Sequence, residues 1–333
     1  LSGADAYTEA IKDLSDRIVE AQRPIRVLGA INWDDRIKAD FFDNGFKEQP
    51  KVDRDFYLAK ELRLNAEETR GEFRSIEGDI LGRLGPVAPA GVMMRFMCEQ
   101  YRMVVDLLEA RGTEHFTQIS GLLYGTPFDV FHVGGPTISD LAKQMRHILE
   151  GLAGETMDMV DDRSIDGHTA VEILQRQLDQ SMGVGVVDVR ADDGIAADAA
   201  AGADYIKLNE DRFFSQRDLD LLEAHEGWVH VGTTLNGLAQ PVCTFLGKAA
   251  PRSTVTQEGL AVLTEMINMR SHPRRLARLM HRIEGIERAA DGATFVEVFE
   301  SFRTDGLDEE EAWSAAHRIY RGSLPDAGPF TKD

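Results

Sequence analysis

Apolar residues recur every third or fourth position along most of the chain, so its dominant prediction is amphipathic helix. The segment from Tyr7 to Gln22, "YTEAIKDLSDRIVEAQ", is the first such run, and Pro24 stops it. After an irregular stretch carrying Trp33, helical spacing returns over about Glu67 to Leu84 and from Val92 to Ala110, the latter closed by Gly112. "RGTEHFTQISGLLYGTP" reads as a short helix and turn, Pro136-Thr137 opens a helix through Leu152, and His168 to Met182 forms another. Only then does the period change. "VGVVDVRAD" is β-branched and glycine-flanked, and "ADYIKLNE" alternates apolar and polar positions, so both predict strands. Ser215, with Asp218 three residues on, predicts a capped helix start. That helix, "QRDLDLLEAHEGWVHVG", is expected to end near Gly232. Further helices are predicted over Thr256 to Met269, Arg274 to Ala289, Thr294 to Arg303 and Leu307 to Arg321.

The resulting class is α+β, mostly helical, with a small sheet beside the long helix that follows it. The acidic, weakly apolar stretch "GETMDMVDDRSIDG" suggests dividing the chain into a mainly helical region, 1–155, and a second region, 156–333. There is no internal repeat and no low-complexity linker.

Composition narrows the function classes. With 333 residues, 43% of them hydrophobic, the chain can bury a sizeable core. A net charge of −20 repels nucleic acid and anionic membranes, which argues against both as partners. Cys98 and Cys243 lie far apart in apolar surroundings, as in a reducing compartment. No apolar run has the length of a membrane span and no signal-type segment opens the sequence, so a cytoplasmic location is expected. An opening on Leu1 and a close at "GPFTKD" are what a chain cut at either end would show.

The candidate chemistry sits in "AHEGWVH", where His225 and His230 are five positions apart and Glu226 follows the first. The familiar zinc-binding spacing is four. On a regular α-helix, residues four apart lie about 40° apart around the axis, whereas residues five apart lie about 140° apart and cannot share one ion. An inserted residue, as in a π-bulge, would restore a common face, and Gly227 weakens the local preference for an α-turn. The metal reading therefore demands an irregular helix between His225 and His230. The same six residues also fit two unrelated histidines on an acidic helix, with Trp228 and Val229 toward the core.

A zinc hydrolase needs a third protein ligand and an open position for water. Glu258 in "STVTQEGLAVLTEM" has the placement for it, 28 residues after His230. Gly259 beside it would permit close helix approach. A first-turn glutamate favoured by the helix dipole is the alternative reading of Glu258. Glu226, beside a ligand, suits a general base, and Asn236 and Gln240 are possible partners for a ligand imidazole.

Together, "ARGTEHFTQISGLLYG", "DYIKLN", "FSQRDLDLLEAHEGWVHVGTTLNG", "APRSTVTQEGLAVLTE" and "AHRIYRGSLPDAGPFTKD" resemble bacterial QEGLA-motif proteins, described as flavohaemoglobin expression-modulating. Through them the chain is similar to the microtubule-associated tyrosine carboxypeptidases. The resemblance covers about residues 109–333 and is loose before that, mainly around Leu28 and Trp33. It implies a zincin-like metallopeptidase with one Zn2+ held by His225, His230 and Glu258 and with Glu226 as the catalytic glutamate. The implied partner is a peptide or protein C-terminus.

A terminal carboxylate calls for a cation. Arg318 and Arg321 rank first, followed by Lys332 and by Lys207 on "YIKLN", while His317 and Tyr320 could donate to an oxyanion. Solvated surface charge or structural hydrogen bonding competes for each. The basic run Arg270 to Arg282 reads as a solvated helix face. Net charge argues against a strongly acidic tail, so a tubulin-type substrate is not carried over. The competing function is a regulatory or binding protein that keeps zinc for structure; it predicts four protein ligands and a closed site.

Overall fold

The computed structural model describes residues 3–151, 163–193, 195 and 197–332. Its contacts form two compact units that interleave along the sequence. The first gathers 1–19 and 152–276, and the second gathers 20–151 and 277–333. The expected boundary between 155 and 156 falls outside the described residues.

The first unit is built on a helix, Gly167–Met182, laid against a small sheet. Asp166 caps that helix by accepting from the Thr169 backbone N–H. The sheet holds β2 (Asp188–Asp192), β3 (Ala199–Ala201) and β4 (Tyr205–Asn209) in the order β2-β4-β3. β2 and β4 are parallel, with Val189 opposite Ile206, and β3 runs antiparallel to β4. A separate two-residue ribbon pairs β1 (Ile165–Asp166) with β5 (Phe213–Phe214). Ala170, Leu174, Leu178, Val189, Ile206, Leu208, Leu219, Leu222 and Val231 close the core between helix and sheet.

The two predicted strands are β2 and β4. β3 escapes sequence reading because alanine has little strand preference.

The second unit has an aromatic core in which Trp33, Phe41, Tyr57, Phe295, Phe299, Phe302, Trp313 and Tyr320 pack together. Trp33 Nε1 donates to Tyr57 Oη (2.7 Å), and Tyr57 donates on to the Ser323 carbonyl (3.0 Å). The stretch around Trp33 is less irregular than expected: Val27–Ile31, Asp35–Asp43 and Arg54–Leu58 are short helices. Among the described residues no helix is long and apolar enough to cross a membrane.

Candidate metal centre

Ser215 and Asp218 form a reciprocal capping box, and the helix runs as α over Gln216–Leu222. It then widens into a π-helix, Glu223–Val231, that spans the whole histidine motif. The i+5 to i hydrogen bonds of that form bring His225 and His230 one turn apart, with ring centroids separated by 4.9 Å. An α-helix resumes over Gly232–Leu238, so the expected stop at Gly232 is corrected: the chain changes helix type there without ending.

Packing requires the glycine inside the motif. A Cβ at Gly227 would come within 2.4 Å of Leu178 Cδ2, and Leu178 is itself fully buried in the Gly167–Met182 helix. Gly227→Ala is expected to lower stability by about 1–3 kcal/mol, the usual penalty for overpacking. Chemical denaturation measures it, and an unchanged midpoint would contradict the contact.

Glu258 comes from the helix Ser253–Ile267, which packs against the π-helix. Its Oε2 lies 3.5 Å from His225 Nε2 and its Oε1 lies 3.5 Å from His230 Nε2. One ligand atom from each residue lies within 4.8 Å of the others, a group that can hold a metal ion. Exposure is graded across it: His225 is buried, His230 is partly so, and the Glu258 side chain is 51% exposed. Because the helix starts at Ser253, Glu258 lies beyond the first turn, and the first-turn dipole reading does not describe it. The role expected for Gly259 is also corrected, since a Cβ there would meet open space. Ala261 and Glu265 are instead the helix's buried residues.

Sequence reading missed Glu265, which is fully buried. Its Oε1 accepts from His225 Nδ1 at 2.6 Å, and because a carboxylate only accepts, this fixes the tautomer and turns Nε2 toward Glu258. Arg275 holds the same carboxylate, donating from Nη2 to Oε1 (3.2 Å) and from Nε to Oε2 (3.4 Å). Burial would raise the Glu265 pKa, but the bonds from His225 and Arg275 prevail and lower it. The available signal was its spacing: Glu265 follows Glu258 by seven residues, two turns, and so lies on the same helix face. Glu265→Gln is expected to weaken metal binding about 10–100-fold. Competition against a chelator reads this, and an unaltered affinity would contradict the orienting role.

The basic run is likewise more than a solvated face. Arg270 Nη1 donates to buried Glu223 (2.6 Å) and stacks over Trp228 at 4.4 Å, while Trp228 Nε1 donates to Ser181 Oγ (3.1 Å). Arg270 and Arg275 thus brace the π-helix and its neighbour through buried carboxylates. Burial pulls the His225 pKa down, but hydrogen bonding to Glu258 and Glu265, with the charge of nearby Glu226, raises it to about 9.

The sequence model of the family described as microtubule-associated tyrosine carboxypeptidase matches residues 39–333. The chain belongs to that family. The match reaches well upstream of the motifs that carried the resemblance and takes in parts of both compact units. Among curated individual proteins, no match is found. Membership in a carboxypeptidase family supports a hydrolase.

The other residues with expected roles in this family member are placed as follows. In the first unit, Lys207 on β4 is ion-paired with Asp192 of β2. Asn236 and Gln240 are exposed, with Gln240 Nε2 donating to the Asn236 carbonyl, and the partner of the His225 imidazole is Glu265. In the second unit, Tyr320 is fully buried and its hydroxyl donates to the Ala293 carbonyl. Arg321 is buried with its guanidinium 5.8 Å from the Phe330 ring, and burial beside Arg318 lowers its pKa to about 9. Arg318 and Lys332 are partly exposed. His317 is buried and held neutral by desolvation, then by the charges of Arg321 and Arg318, with its pKa depressed to about 3.

Proposed function

We propose that the protein is a zinc-dependent metallocarboxypeptidase in which His225, His230 and Glu258 hold one Zn2+ and Glu226 is the general base. The observation that carries this reading is the convergence of three ligands on a site that opens toward solvent on the Glu258 side. Each histidine Nε2 lies 3.5 Å from an oxygen of Glu258, Oε2 for His225 and Oε1 for His230, near the ~3.4 Å that tetrahedral zinc bonds of about 2.0–2.1 Å set between ligand atoms, and with one atom taken from each residue the three lie within 4.8 Å of one another. The carboxylate on His225 Nδ1 is the usual outer partner of a zinc-bound imidazole. We further place the protein in the QEGLA branch, on the "TQEGLA" sequence around Glu258, and in the cytoplasm, on its free thiols.

Zinc supplies Lewis acidity there, lowering the pKa of water to about 7 and polarising the scissile carbonyl. The chain's own residues do the rest. Glu226 is partly buried on the same π-turn as the ligands, close enough for its charge to raise the His225 pKa. Its carboxylate takes a proton from the attacking water as the C–O bond forms, then gives it to the departing amine as the C–N bond breaks. Glu265, pinned by Arg275, keeps the His225 imidazole aimed.

Among the described residues three ligands converge with an exposed side, which favours catalysis over a structural zinc site with four. Mass spectrometry of a C-terminal peptide library tests the reading: residues are released, a chelator stops release, and added zinc restores it. Release that survives metal removal, or no release from any peptide, would overturn it.

A further inference from the structure

The helix Ser253–Ile267 ends in a turn that aims Arg270 at the π-helix. Past its cap, Asn268, Met269 takes the left-handed conformation (φ 54°) that glycine usually fills. The Met269 N–H donates to the Met266 carbonyl (3.0 Å) and the Arg270 N–H to the Glu265 carbonyl (2.8 Å), the paired bonds of a Schellman motif. The Arg270 side chain then meets the neighbouring helix at three places. Its Nη1 donates to the Asp220 carbonyl and to the Glu223 carboxylate (2.6 Å), and its guanidinium lies 4.4 Å from the Trp228 ring centre. Ser181 Oγ holds that ring by accepting from Trp228 Nε1.

Glu223 and Trp228 are five residues apart, the same interval as His225 and His230. On a regular α-helix they would lie about 140° apart around the axis, on different sides of the helix. In the π form they stand one turn apart, and one planar cation spans them. The Asp220 contact acts in the same direction. The Glu223 N–H still bonds the Leu219 carbonyl in the α register, and Asp220 carries the next carbonyl, which an unbroken α-helix would give to the Ala224 N–H. A side chain donating into that ladder competes with its continuation.

We propose that Arg270 is a positioning residue for the metal: by bridging Glu223 and Trp228 it holds the wide turn that brings His225 and His230 together. This role rests on the zinc reading above. Narrowing to an α-helix would break the Arg270 bridge and part the two imidazoles at once, because both pairs need the same turn. Only the wide form offers both imidazoles to one ion, so affinity falls with the fraction of chains that leave it. Lysine would pair with Glu223 as a point charge but has no plane to lay over Trp228.

Competition against a chelator for zinc, with Arg270→Gln and Arg270→Lys beside the wild-type protein, tests this. Arg270→Gln should bind zinc on the order of tenfold more weakly, and Arg270→Lys should fall between it and wild type. Cobalt-loaded protein gives a second readout, in which the d–d absorption of Arg270→Gln weakens as a histidine leaves the ion. Melting temperatures of the metal-free proteins, taken alongside, show how much each substitution costs the fold. Zinc affinity within about twofold of wild type and an unchanged cobalt spectrum in Arg270→Gln would overturn the proposal whatever its melting temperature, leaving Arg270 a role in stability alone. Should Arg270→Gln fail to fold, Arg270→Lys, which keeps a cation for a Glu223 side chain only 6% exposed, carries the same two outcomes. Failure of the zinc reading appears separately, as wild-type protein that takes up no zinc.

Discussion

Glu226→Gln is expected to slow peptide cleavage about 10²–10⁴-fold while leaving one zinc bound per chain. The substituted side chain keeps the size of the original but cannot accept the proton of the attacking water. Nothing in the ligand set changes, because His225 and His230 face Glu258, and His225 is oriented by Glu265. Turnover should therefore collapse without loss of metal, which separates a chemical role from a structural one. Single-turnover rates on a cleaved peptide, paired with elemental analysis of the same preparation, make the measurement. A rate within about twofold of wild type would remove Glu226 from the chemistry.

Acid should destabilise the second unit through His317. Its ring is buried among Trp33 and Trp313, and its Nε2 accepts from the Trp33 backbone N–H at 3.4 Å, a bond that requires the unprotonated nitrogen. With a folded pKa of about 3 against an unfolded value of about 6.5, the unfolded state binds the proton first. The stabilising effect of the neutral ring is complete above pH 6.5 and is lost as pH falls toward 3. Over that window the loss approaches roughly 5 kcal/mol, a large fraction of ordinary domain stability. His317→Gln, which keeps an acceptor but does not titrate there, should be less stable at neutral pH and should show a flatter acid limb. Denaturant midpoints from pH 7 to 4 for both proteins isolate the difference from the carboxylates common to both. Parallel curves would contradict the buried neutral histidine.

The site was more legible than the fold around it, for a physical reason. A five-residue spacing between histidines is incompatible with one ion on an α-helix, so the sequence itself demanded the wider turn seen at Glu223–Val231. Glu258, the third member of the group that could hold an ion, was readable from its helical segment and the motif around it. Glu265 and the arginines behind it were not singled out, since their roles depend on which helix face turns inward, although the seven-residue interval from Glu258 carried that information. Gly227 and Gly259 show the limit from the other side. Both are glycines beside candidate site residues, but only Gly227 meets a neighbour, Leu178, and that contact joins positions 49 residues apart. The interleaving of the two units has the same origin, because residues 1–19 join a unit whose other residues begin more than 130 positions later. Local periodicity carries no record of such closure. Strand β3, an alanine run, takes its form from pairing with β4 and was invisible to propensity.

The most direct test of the central claim is an anomalous difference map collected at the zinc edge from crystals of the purified protein. One peak is predicted, about 2.0–2.1 Å from His225 Nε2, His230 Nε2 and a Glu258 carboxylate oxygen, with the π-helix intact around it. No peak among these three residues in zinc-supplied crystals, or a peak on other ligands, would contradict the account.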